Sequence, residues 1–289
     1  TVYTNHFTYI LDTARGMISS INSSNSSLLA RPCDMIMWRA PIDNDVYDKT
    51  AWINEHFHKA FFKVRNFDTF EDNNSFTVVF DGALGANSRL SVFDIELRYI
   101  FTDSDVTVSI HAVKNKRLKG MNRSSSEETD LDLNLKTEMK EIPRFGIRFP
   151  LIRNFENIKY FGKGDRECYI DYQQHSKMGI WHSTVTNEFE PYIRPQDCGN
   201  HVNTQYLKIE NHSDNIEFSA EKPFEFSALH YTIEELDSKE HTFELEDSAS
   251  SEILICYKNR GVGSCSCGPA LSEKYRVTDK IIDFDFSIK

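Results

Sequence analysis

The sequence is short of positive charge: 33 Lys and Arg stand against 44 Asp and Glu, and 33 − 44 leaves a net −11. Without a basic stripe there is nothing to release phosphate counterions, so nucleic acid is excluded as a partner. No apolar run approaches the ~20 residues that span a bilayer. The first ten residues, TVYTNHFTYI, carry neither the basic leader nor the apolar stretch of a signal peptide. No membrane association is expected. Cysteines number six in 289 residues, too few to imply a disulfide scaffold, and the reducing cytoplasm is the expected compartment. Cys265 and Cys267 form a C-x-C with no second pair at zinc-finger spacing, so no metal site is expected. G-x-S-x-G, H-E-x-x-H and a Gly-rich phosphate loop are all missing. The chain opens on Thr1, which reads as a piece of something longer.

What the sequence does have is bulky apolar material, with 21 Phe and 12 Tyr, laid out with period two. In SVFDIELRYIF, Phe93, Ile95, Leu97, Tyr99 and Phe101 share one face, with Asp94, Glu96 and Arg98 on the other. Val106, Val108 and Ile110 repeat the pattern, as do Leu131, Leu133 and Leu135, and then Ile282, Phe284, Phe286 and Ile288. Such alternation belongs to antiparallel sheets with one buried and one wetted face. Helical signal is confined to AWINEHFHKAFF, where Ile53, His56, Phe57, Ala60 and Phe61 make a short apolar stripe, and to IEELD after Tyr231. Many strands without a βαβ rhythm imply a large all-β sandwich. The polar stretch from Lys114 to Asp130 reads as a long exposed loop inside one domain covering 1–289.

Residue types alone leave the chemistry open. Trp38, Arg39 and Asp43 offer an aromatic face, a bidentate donor and a carboxylate, the makings of a sugar subsite. The Asp43-Asn44-Asp45 run is better suited to pinning a loop after Pro41 by Asx-type bonds. Arg166, Glu167 and Tyr169 fit a groove or a salt-bridged turn. His201 can donate to a ligand hydroxyl or serve the fold, and Trp181 is expected in packing.

Five blocks in order carry a resemblance. MWRAPIDND (Met37 to Asp45), YFGKGDRECYIDY (Tyr160 to Tyr172), PQDCGNHVNTQYLKI, PFEFSALHYTIEEL and NRGVGSCSCGP (Asn259 to Pro269) are similar to the C-terminal, small-chain domain of family 2 β-galactosidases. The resemblance implies a supersandwich of two large antiparallel sheets, as in galactose mutarotases, with very little helix. It further implies that the hydrolytic carboxylate pair sits on a TIM barrel. Retaining hydrolysis needs an acid/base and a nucleophile ~5 Å apart, and no barrel pattern exists here. No catalytic residue is therefore expected in this chain, which would be inactive alone and hold no cofactor, the Mg and Na of family enzymes lying at the barrel. The implied partners are the remaining N-terminal domains or a large subunit, a galactoside, and further copies in an oligomer. The loop matching Gly261–Pro269 reaches the active site in relatives. It makes Ser266 and Cys267 candidate substrate contacts, together with Arg39, Asp43 and His201, and Cys267 takes the place of an aromatic platform. Cys265 is the alternative match, and a packed thiol the alternative role. An autonomous carbohydrate-binding module and a mutarotase-like epimerase are the competing functions.

Overall fold

The computed structural model describes residues 1–24, 26–115, 141–263 and 268–289. The strands are β1 (Val2–Tyr3), β2 (Thr8–Asp12), β3 (Met17–Asn22) and β4 (Asp34–Ile36), followed by helix α1 (Lys49–Asn54). A four-strand meander comes next: β5 (Phe61–Glu71), β6 (Phe76–Gly85), β7 (Phe93–Phe101) and β8 (Val106–Lys114). Then come β9 (Arg144–Ile152), β10 (Asn157–Gly164), β11 (Lys177–Thr184), β12 (His201–Glu210) and β13 (Asn215–Leu229). Helix α2 (Ile233–Ser238), β14 (Ser250–Asn259) and β15 (Ile281–Ile288) complete the described elements. Strands β1 to β3 form a small sheet. The other twelve run β11-β10-β12-β13-β15-β8-β7-β6-β5, with β14, β9 and β4 branching from β13. The pairings between these strands are antiparallel.

The alternation becomes burial. Along β7 every second residue is buried, and in β15 Ile282, Phe284, Phe286 and Ile288 are buried while Asp283 and Asp285 are exposed. The buried faces meet as two layers. Phe149 of β9 packs against Phe218 of β13 at 4.8 Å and Phe286 of β15 at 6.0 Å, and Phe93 of β7 meets Phe145 of β9 at 5.5 Å. The layers are not separate sheets. β13 pairs with β15 at Phe218 and Ser219 and with β14 from Glu225 to Leu229, so one long strand carries the hydrogen bonding from layer to layer.

Helices are few, as expected, and one is placed differently from the sequence expectation. α1 ends at Asn54; His56 takes a left-handed conformation (φ 59°), and Phe61 already belongs to β5. Of the predicted stripe Phe57 is buried but Ile53 and Phe61 are exposed, while Trp52, off the stripe, turns inward, so the stripe as a whole is not the buried face. The left-handed residue interrupts the 3.6-residue period on which the stripe depended. His56 is partly buried and bonded to Ser88 at 2.8 Å. α2 falls on IEELD because Thr232 caps it, accepting from the Glu235 N–H at 3.0 Å. The 131–137 alternation, and the expected loop beyond Asn115, lie outside the described residues. Among the described residues no helix is long and apolar enough to cross a membrane.

Phe286 is a fair test of this packing, since it touches Phe149, Phe218 and Phe284. Phe286→Ala is expected to cost ~3–5 kcal/mol through cavity formation. Asp285→Asn, one residue away on the wetted face, is expected to stay within ~0.5 kcal/mol. Urea denaturation of both variants checks the difference.

Candidate functional site

The MWRAP segment follows β4 and carries a charge into the interior. Arg39 is fully buried, an arrangement tolerable only if its fork is matched. Its Nε and Nη2 donate to the two oxygens of Asp45 at 3.1 and 2.8 Å, its Nη1 to the Arg260 carbonyl at 2.6 Å, and Nη2 also to the Gly261 carbonyl at 3.2 Å. Asp45 closes the 3-10 turn Asp43–Asp45 and also accepts from the Ile42 N–H at 3.0 Å. Its Oδ1 takes a further bond, at 2.7 Å, from Arg260, itself almost fully buried. Arg260 also donates to Asp48 and Glu141, and its guanidinium lies 5.3 Å from the Trp52 ring centroid. Burial opposes the charge on Arg39, but Asp45 outweighs it and holds the guanidinium protonated even more firmly than usual.

A third arginine extends the network. Arg144, at the start of β9, donates to Asn259 Oδ1 at 2.5 Å and Asp197 at 2.7 Å, and Tyr169 donates its phenol to the other Asp197 oxygen at 3.0 Å. Asn259 donates to Asn200 at 2.6 Å, and Glu225 accepts from Asn200 and from the Asn259 backbone N–H. Burial pushes the Glu225 carboxyl up to about 7, against the pull of those bonds and of Arg144.

Above this layer the chain emerges at 261–263. Asp171 accepts from the Val262 and Gly263 N–H groups at 2.9 and 2.7 Å, while the Asn44 amide donates to both of those carbonyls. Asp171 is held in turn by a tight turn in which Tyr169 and Tyr172 exchange backbone bonds of 2.9 Å. A Cβ at position 261 would sit 2.6 Å from the Asp171 carboxylate, so a larger residue there would push aside the group that grips Val262 and Gly263.

The expected site residues divide accordingly. Arg39 is spent inside the network. Asp43 is exposed beside the 261–263 stem, its backbone N–H bonded to Gln196 at 3.2 Å. Asn44 and Asp45 do pin the loop, but not by Asx-type bonds: Asp45 accepts from the Ile42 N–H behind it, and the Asn44 amide donates to the distant Val262 and Gly263 carbonyls. His201 is fully buried in a separate cluster, its Nε2 on Glu188 at 2.5 Å and its Nδ1 near Tyr160 and the Lys163 carbonyl at 3.1 Å. Burial alone would lower it, but hydrogen bonds to Cys168 and Glu188 raise it to about 10. Glu167 is buried, accepting from Tyr192 and the Gly199 N–H, and Trp181 donates to the Gly162 carbonyl at 3.2 Å. Ser266 and Cys267 lie outside the described residues. Asp45, Arg144, Asp171, Asp197, Glu225 and Arg260 were not expected at the site; the adjoining DND and NRGVG runs were visible, but nothing in them signals a buried charge.

An all-β sandwich with an arginine-rich polar layer under a Gly-rich stem is the class these features define. The profile described as Beta galactosidase small chain matches residues 3–288. A β-galactosidase of Actinobacillus pleuropneumoniae is 32% identical over 288 residues, covering 99% of this chain and 26% of that protein. One from Staphylococcus xylosus is 28% identical over 282 residues, 98% and 26% respectively. A solved galactose mutarotase-like protein from Lactobacillus casei aligns over all of this chain and 98% of its own, at 8% identity and a TM-score of 0.49. The chain belongs to the β-galactosidase small-chain family, and it spans about a quarter of the length of these curated relatives.

Asp45→Asn leaves two buried guanidiniums sharing a neutral amide and is expected to cost ~3–5 kcal/mol. Asp43→Asn, exposed next door, is the control, and chemical denaturation reads both. Glu225 and His201 both have folded pKa values above their ordinary ones, so both favour folding at lower pH. The Glu225 contribution is complete below its ordinary value near 4.5 and is lost as pH rises through about 7; that of His201 is complete below 6.5 and is lost through about 10. Glu225→Gln is therefore expected to gain on the native sequence between pH 5 and 8, by on the order of 3 kcal/mol. Denaturation midpoints at the two pH values check the sign.

Proposed function

We propose that this chain is the accessory sandwich of a β-galactosidase. It walls the substrate cleft and buttresses the catalytic body, while the acid/base and nucleophile for terminal β-D-galactosides are carried by the rest of the enzyme. The observation that carries this reading is the family match along residues 3–288 together with coverage of only 26% of the longer relatives. The geometry supports a buttress. Asp45 and Asp197 are committed to arginines and Glu225 to amides, so these carboxylates hold the frame in place and are spared from chemistry. What the frame positions is a stem gripped by Asp171 and Asn44; Ser266 and Cys267, which follow it in sequence, and Asp43 are the sugar contacts of this reading. Arg39 and His201 act in this reading as positioning residues. A thiol at 267 cannot give the CH–π contact of an indole with a sugar face, so the platform there is weak. Cytoplasmic residence and assembly into an oligomer belong to the same reading.

The isolated chain is expected to leave nitrophenyl-β-galactoside intact, while the complete enzyme cleaves it. In the complete enzyme Cys267→Ser is expected to move KM more than the melting temperature. Turnover by the purified chain, free of host enzyme, would overturn the accessory role. Anomer interconversion by polarimetry would point to an epimerase, and galactoside binding by the chain alone to a carbohydrate-binding module.

A further inference from the structure

Three surface loops each carry a strongly exposed large apolar side chain. Ile193 is 88% exposed, Phe243 84% and Tyr47 72%. Single exposed apolar residues are ordinary; what matters here is that these are joined. The Ile193 carbonyl accepts from the Thr242 N–H at 3.3 Å and the Tyr192 carbonyl accepts from the Thr242 hydroxyl, which fixes Phe243 beside Ile193. The Asp43 N–H donates to the Gln196 side chain at 3.2 Å, which ties the loop that carries Tyr47 to the one that carries Ile193. The linked loops thus present Tyr47, Ile193 and Phe243 to solvent among charged residues of both signs, the composition expected of a protein interface. Its anchors are aromatic and β-branched, and they sit on loops braced from below, so little ordering cost remains to be met on docking.

We infer that this surface docks the remaining part of the β-galactosidase, the inference resting on the reading in the preceding section. Two facts select that occupant. The relatives that this chain matches carry roughly three further quarters of polypeptide, which must pack against it somewhere. A second copy is disfavoured, because each copy brings a net −11 to the contact. The surface is also continuous through Asp43 and Asn44 with the 261–263 stem, so a body seated on it closes over that stem.

The test uses the complete enzyme, prepared as a mixture of light and isotopically heavy copies, with a photoreactive benzoylphenylalanine in place of Ile193, Phe243 or, as an exposed control, Leu90. Cross-links from positions 193 and 243 into the catalytic remainder, at least fivefold above those from position 90, are the expected result. Yields no higher than those from position 90, or light-to-heavy cross-links joining two small-chain regions, would overturn the inference. Hydrolysis of nitrophenyl-β-galactoside by the unsubstituted enzyme is measured alongside. If hydrolysis is present without the cross-links, the docking surface alone fails; if hydrolysis is absent, the functional reading fails.

Discussion

One carboxylate, that of Asp45, is shared by two guanidiniums withdrawn from water, and much of the architecture is arranged around that fact. Stripping an arginine of its hydration costs several kcal/mol, and the fork of Arg39 recovers it only where Asp45 and the carbonyls of Arg260 and Gly261 stand together. Those groups come from opposite ends of the chain. A slip of one residue in either segment would strand a charge, so the network fixes the mutual register of residues 39–48 and 259–263 as well as their contact. The apolar layers decide that the chain collapses; this ionic layer decides which loops lie over which strands.

The fold was legible wherever a strand has one wet face. β7, β8 and β15 announce themselves because polar and apolar residues alternate with burial. β14 is buried on both faces over Ser250–Cys256, so its pattern carries no alternation and shows only an apolar run. α2 was readable from its local sequence, and Thr232 supplies the cap; α1 was misplaced because the backbone at His56 turns left-handed, which no periodicity reports. The candidate site was partly legible. Asp43-Asn44-Asp45 reads as a loop pin, and Asn44 and Asp45 do pin one. That Arg39, Arg144 and Arg260 lie in the interior was invisible, because an arginine in a sequence is the same letter in water or under a sheet, and each also needs a partner more than a hundred residues away, the Arg260 carbonyl, Asn259 and Glu141 respectively. The family resemblance supplied what local pattern could not, and the match over residues 3–288 supports it.

The polar interior also divides labour between clusters. Around Arg144, amides and a tyrosine dilute the charge, and Glu225 sits close to neutral pH. Around His201, a buried imidazole faces Glu188 directly and favours its proton. The two clusters hold Asp197 and Glu188, on either side of the segment that carries Ile193, which suits a module that holds surface segments in fixed positions.

The last strand of the described chain is central to the sheet, since β15 lies between β8 and β13 along an eight-residue ladder with β8. During synthesis the meander β5 to β8 and the unit around β13 must therefore wait as two half-sheets, each showing a raw inner margin, until Ile281–Ile288 leaves the ribosome. Such margins are templates for adventitious strand pairing. A nascent chain stalled short of that point is thus the form most exposed to aggregation and most in need of a chaperone.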